Sequence, residues 1–187
     1  MSADIEAILR DAAALHIALL GQAEAIEQAA KLIGDALAAG RSLYVMGNGG
    51  SAADAQHLAG ELVGRFEKER RPLPCQAFTT DSSVLTAIIN DYGVHEVFSK
   101  QVQAFVREGD VVMGISTSGN SRNVNLALQE ARRRGAKTVG LSGKRGGQML
   151  THCDVAVRVP SERTPRIQEA HQTIIHIICH LVERQLF

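Results

Sequence analysis

Two short segments rich in glycine and hydroxyl side chains carry the first chemical signal. Gly47-Asn48-Gly49-Gly50-Ser51 follows the apolar run Ser42-Leu43-Tyr44-Val45-Met46. Ser116-Thr117-Ser118-Gly119-Asn120-Ser121 follows Asp110-Val111-Val112-Met113-Gly114-Ile115. Each leads into a helical pattern. Glycine lets backbone N–H groups approach an anion closely, and a helix N-terminus adds unpaired donors and partial positive charge. Ser116, Thr117, Ser118 and Ser121 place four hydroxyls in six residues, more than a turn needs. The simpler reading of that loop alone is a capped turn with Ser121 as N-cap. Two such loops, and a third glycine-rich one at 142–147, favour a phosphorylated small molecule. GxxxxGK[ST] is absent, which excludes a P-loop. Gly47 to Ala52 fits GxGxx[GA], but a dinucleotide site also wants an acid about 20 residues on at a strand end. Glu67 and Glu69 stand instead in the segment before Pro72.

The groups able to move protons lie on two helical stretches. His57 and Glu61, four apart, project roughly 40° from each other on one helix face, one to two turns behind the first loop. The C-terminal stretch carries Gln168, Glu169, His171, His176 and His180. Gln168 and His176 lie two turns apart and within roughly 80°. A helical His with Glu four later is commonly a solvent-facing pair, and His176 among Ile174, Ile175, Ile177 and Ile178 is commonly a core histidine. Taken together, a His/Glu face and a Gln/His face can converge on one pocket. Imidazole and carboxylate are also zinc ligands.

These groups need a scaffold. Residues 3–39 show helical recurrence twice: Ile5, Ile8, Leu9, Ala12, Ala13, His16 and Leu20, then Ile26, Ala29, Ala30, Ile33 and Leu37, with Gly40 at the stop. Apolar strands are expected at 42–46, 110–115, 138–141 and 155–159, with 75–78 as a fifth. Helices are expected over 52–63, up to about Arg134 before Gly135, and from Pro165 to near Phe187. Continuous apolar strands alternating with helices predict an α/β fold with a central parallel sheet between helix layers. Ligands of such sheets bind beyond the strand carboxyl ends. Glu67 to Pro74 reads as a surface loop. In the last helix the apolar residues Ile167, Ala170, Ile174, Ile175, Ile177, Ile178, Cys179, Leu181, Val182 and Leu186 cover most of the circumference. More than one side must then be covered, which predicts a homo-oligomer with helices at its centre. In such an assembly a pocket could draw Glu61 and His176 from one chain or from two neighbouring chains.

Composition narrows the classes. The chain has 187 residues, enough for one domain with a sizeable core. Twenty Lys+Arg balance twenty Asp+Glu, which argues against a nucleic-acid surface built on bulk charge. Aromatics are 4% with no Trp, which argues against a base-stacking platform. Cys75, Cys153 and Cys179 form no CxxC pair and read as small buried hydrophobes in a reducing setting. Residues 1–6 lack the basic start and apolar run of a signal peptide, and no apolar stretch is long enough to span a membrane. A cytoplasmic location is expected.

Gly47-Asn48-Gly49-Gly50-Ser51, His57-x-x-x-Glu61, Asn90-Asp91-Tyr92-Gly93, the 116–121 loop, and Arg166-Ile167-Gln168-Glu169 with His176 together resemble the phosphoheptose isomerases of the sugar isomerase (SIS) domain family. The resemblance runs from about residue 40 to the C-terminus. It implies one SIS domain over 1–187, with 1–40 used in assembly, and a homotetramer. It implies conversion of sedoheptulose 7-phosphate to D-glycero-D-manno-heptose 7-phosphate, a step toward the heptose of lipopolysaccharide cores. Ser116, Thr117, Ser118 and Ser121 would bind phosphate. Asn48, Gly49, Gly50, Ser51, Glu61, Asn90, Asp91 and Gln168 would meet the substrate. Glu61 and His176 would be the catalytic pair, and His57, Glu61, Gln168 and His176 the zinc ligands where zinc is bound. The alternative is a non-enzymatic SIS protein that binds the replication initiator, suggested by Phe66-Glu67-Lys68-Glu69-Arg70. Such proteins lack the Glu and final His, whereas this chain has both. A sugar-phosphate-sensing regulatory domain would carry a DNA-binding segment, and no basic recognition segment is present.

Overall fold

The structure, a computed structural model, describes residues 1–187. The N-terminal stretch forms α1 (Ser2–Ala18), a short 3-10 turn and α2 (Ala23–Ala38), ended at Gly40 with φ +73°. Then come β1 (Leu43–Gly47), α3 (Gly50–Val63), β2 (Cys75–Ala77), α4 (Ser82–Tyr92) and α5 (Ser99–Phe105). They are followed by β3 (Val111–Ser116), α6 (Arg122–Arg133), β4 (Lys137–Ser142), β5 (Val155–Arg158) and α7 (Thr164–Leu186). The four main strands and the fifth at Cys75 fall where the apolar runs place them.

The sheet is parallel throughout, in the order β2-β1-β3-β4-β5. Its three inner strands β1, β3 and β4 are buried on both faces almost throughout, as continuous apolar runs require, while the edge strands β2 and β5 are partly exposed. Val111, Met113 and Ile115 face a core shared with α2, α3 and α7. Val112 and Met46 face a second core with α5 and α6. The chain leaves β1 toward β2 and returns to the other side at β3. The loops after β1 and β3 therefore part at the order reversal, the crevice where parallel sheets bind ligands.

Three sequence expectations change. First, the region 82–105 holds two helices where no element is expected. Second, the stretch 67–74 is the expected exposed loop but is anchored to the core, because the Arg70 side chain is 1% exposed and paired at 2.9 Å with Glu183, itself 2% exposed. Third, most of the apolar stripe of α1 stays in solvent: Ile5, Ile8, Leu9 and Leu20 are exposed, and Leu15 and Leu19 are the buried residues there. α7 is covered on several sides by α2, α3 and α1, yet Ile177 remains partly open.

Candidate functional site

α3 and α7 pack side by side, and their facing side chains meet in three rungs. At the first, the Gln168 amide lies where a Cβ of residue 50 would stand, so glycine at 50 lets this amide approach the backbone of α3. At the second, Gln172 donates to Asp54 Oδ1. Asp54 is buried and its Oδ2 has no partner. Burial pushes this carboxyl up, against the Gln172 hydrogen bond. At the third, His57 Nε2 and His176 Nε2 are 2.8 Å apart, a single N–H···N bond in which one ring donates and the other accepts. Glu61 Oε1 lies 3.3 Å from the same His57 nitrogen.

One chain thus brings His57, Glu61 and His176 together, with donor atoms all within 4.8 Å. Of the two arrangements left open by the sequence, the one within a single chain is already present, since α3 and α7 place Glu61 and His176 side by side. Donors at 2.0–2.1 Å from a tetrahedral ion are about 3.3 Å apart, so the three-residue cluster has the chemistry and spacing for zinc. Gln168 is turned toward Gly50 and makes no side-chain hydrogen bond, standing apart from the other three.

The two glycine- and hydroxyl-rich loops are joined at their bases. Asn48 and Asn123 exchange amide hydrogen bonds of 3.0 and 2.9 Å. Ser51 is buried at the start of α3 against Gly47. Ser121 stands at the N-cap of α6 but makes no side-chain cap bond; its hydroxyl meets the Ser116 hydroxyl at 2.8 Å, inside the loop. The capped-turn reading therefore fails, and two hydroxyls are turned to one point. Ser118 Oγ accepts from the Asn120 N–H at 3.1 Å, while Ser118 itself is exposed. Gly119, at φ +66°, permits contact with Gly146 that any side chain would block.

Asn90 and Asp91 do not join these groups. They sit in the last turn of α4, exposed, with Asn90 donating to Asp91 at 2.8 Å. The residue missed by sequence reasoning is Arg70. Its guanidinium donates to the carbonyls of Glu61, Leu62 and Gly64, fixing the end of α3. The cysteines form no disulfide, and burial pushes Cys179 and Cys153 up to about 12, leaving both thiols inert.

A family model described as SIS domain matches residues 10–143. The phosphoheptose isomerase of Geobacter sulfurreducens is 63% identical, over 84% of each chain. That of Geobacter sp. strain M21 is 57% identical over 100% of this chain and 98% of its own. The solved phosphoheptose isomerase structure from Neisseria gonorrhoeae superposes with TM-score 0.93 at 41% identity, covering 98% of both chains. That from Francisella tularensis gives 0.94 at 36% identity, over 98% and 99%.

Proposed function

The chain belongs to the SIS domain family and, within it, to the phosphoheptose isomerases, and from that premise we propose that it converts sedoheptulose 7-phosphate to D-glycero-D-manno-heptose 7-phosphate. The observation that carries the reading is the meeting of Glu61 and His176 beside His57 on the seam between α3 and α7. An aldose–ketose shift moves a proton between C1 and C2 through an enediol. Glu61 takes the proton from one carbon and returns it to the other. His176 moves protons at the two oxygens. Ser116, Thr117, Ser118 and Ser121 hold the phosphate, and Asn48, Gly49, Gly50 and Gln168 meet the sugar chain. The product enters the synthesis of activated heptose for lipopolysaccharide cores.

Zinc is the metal this cluster suits: His57, Glu61 and His176 would hold it, whereas Gln168 of the same chain, expected as fourth ligand, lies two helical turns along α7 from His176 and is turned to Gly50. When bound, zinc supplies Lewis-acid polarisation of the substrate carbonyl. Oε1 of Glu61 belongs to the cluster, which leaves Oε2 for the proton. A coupled assay with sedoheptulose 7-phosphate tests both parts. Turnover is expected, and a chelator lowers it until zinc is added back. No turnover with zinc present rejects the reaction; turnover indifferent to chelator in protein verified metal-free rejects the metal's role alone.

The replication-initiator alternative rested on Phe66 to Arg70. In that stretch Arg70 is spent on a buried pair with Glu183, and the proton-transfer pair that such proteins lack is present as Glu61 and His176.

The exposed α1 stripe, Ile177, and Ile89, Tyr92 and Val94 around the end of α4 support a homotetramer. In it, a neighbour's α4 would bring Asn90 and Asp91 to the site that their own chain leaves without them. Light scattering is expected to give the mass of four chains, and a monomer mass rejects the assembly. No helix is long and apolar enough to cross a membrane. A cytoplasmic enzyme fits the free thiols.

A further inference from the structure

On the β4 side of the serine loop lies a cavity of about 370 Å³, with Thr117, Ser118, Lys144, Arg145, Glu162 and Thr164 in its wall. Its charges are unequal. Arg145 is tied to Glu162 by hydrogen bonds of 3.0 and 3.2 Å. Lys144 also lies within the field of Glu162, but its ammonium makes no hydrogen bond or ion pair. Two cations and one carboxylate leave one net positive charge, carried by the unpaired lysine.

The backbone around Lys144 is fixed from both sides. Gly143 N–H donates to Thr117 O at 3.0 Å, and Lys144 N–H donates to Ser161 O at 3.0 Å. One turn on, the Gly146 carbonyl fills the space a Cβ at Gly119 would need. The lysine is therefore held against the serine loop by backbone bonds rather than by its own side chain. A side chain fixed at its base and unpaired at its tip is free to meet an incoming anion.

The serine loop itself contains no cation. Residues 116–121 offer hydroxyls, backbone N–H groups and the start of α6. Arg122, next along the chain, does not line the cavity. A sugar phosphate carries about −1.5 to −2 charges near neutrality. Neutral donors alone bind it less tightly than donors joined by an ammonium, because the ammonium adds a direct Coulombic attraction to the dianion.

We propose that Lys144 supplies the counter-charge to the substrate's phosphate and so makes the site select phosphorylated over free sugars. The proposal rests on the sugar-phosphate reading above. Lys144→Met should raise KM for sedoheptulose 7-phosphate by about tenfold or more, with the loss falling on KM rather than kcat. Binding of inorganic phosphate, followed by calorimetry, should weaken in parallel. Lys144→Arg should restore most of both. Ser118→Ala, which removes a hydroxyl of the cradle, should also weaken phosphate. Lys137→Met, which removes the same charge at the opposite end of β4, should leave phosphate binding unchanged. Parent-like KM and phosphate affinity in Lys144→Met overturn the proposal, as does an equal loss in Lys137→Met. The phosphate measurement needs no turnover. If the parent binds phosphate through Lys144 yet does not isomerise sedoheptulose 7-phosphate, the anion site stands and the assigned reaction falls.

Discussion

Glu61→Gln and His176→Asn are each expected to lower turnover by about 10²–10⁴-fold, the range for loss of a positioned acid or base. Gln keeps the shape of Glu61 but cannot take a carbon-bound proton. Asn at 176 shortens the side chain and carries no titrating nitrogen. Both side chains lie at the open end of the α3–α7 seam, and Glu61 is 23% exposed, so neither fills core volume. The far-UV circular dichroism and melting temperature should stay close to the parent's. Because the two groups act on the same proton shuttle, the double variant should be little worse than the poorer single one. Near-parental kcat in either single variant removes that residue from the mechanism. His57→Gln separates a further role: its Nε2 touches both partners, so losing it disturbs their spacing without removing either.

Much of this arrangement is visible in the sequence because it depends on local periodicity. The strands are continuous apolar runs, and parallel sheets bury both faces, so 43–47, 111–116 and 137–142 stand out. His57 and Glu61 share a face because they are four apart on one helix. The pairing of His57 with His176 depends on how α3 lies against α7, and 119 residues separate them. α4 and α5 leave weak traces for physical reasons. α4 has no fully buried residue, so no sharp apolar stripe is required of it, and α5 is only seven residues long. Arg70 stands in a run of charges that would ordinarily be solvated. Its burial follows from a carboxylate 113 residues later, which no local pattern contains.

That carboxylate carries the second large expectation: Glu183→Ala should cost about 3–5 kcal/mol of stability. Glu183 accepts from the backbone N–H groups of Phe66, Glu67 and Lys68 at 3.1, 3.1 and 3.0 Å, and from Arg70 Nε at 2.9 Å. Removing it leaves the buried guanidinium charge without its carboxylate, held by the carbonyls of Glu61, Leu62 and Gly64, and three N–H groups without their acceptor. For a chain of this length the melting temperature should fall by roughly 6–20 °C. Burial alone would raise the Glu183 carboxyl; the three N–H donors and the guanidinium outweigh it and hold the carboxyl below its ordinary value. A carboxyl lowered in the folded state stabilises the protein above the unfolded value of about 4.3, and that contribution disappears as pH falls through the folded value. The gap between parent and Glu183→Gln should therefore be widest near neutrality and close in acid. The site should respond too. The same clamp sets Phe66 5.5 Å from the His176 ring and ties Arg70 to the Glu61 carbonyl, so its loss should loosen the proposed catalytic pair, Glu61 and His176, from behind. A Glu183→Ala protein that melts within about 2 °C of the parent would show that the loop carries its own stability. Replacing Arg70 by Met as well should recover part of the loss, because no buried cation then remains unpaired.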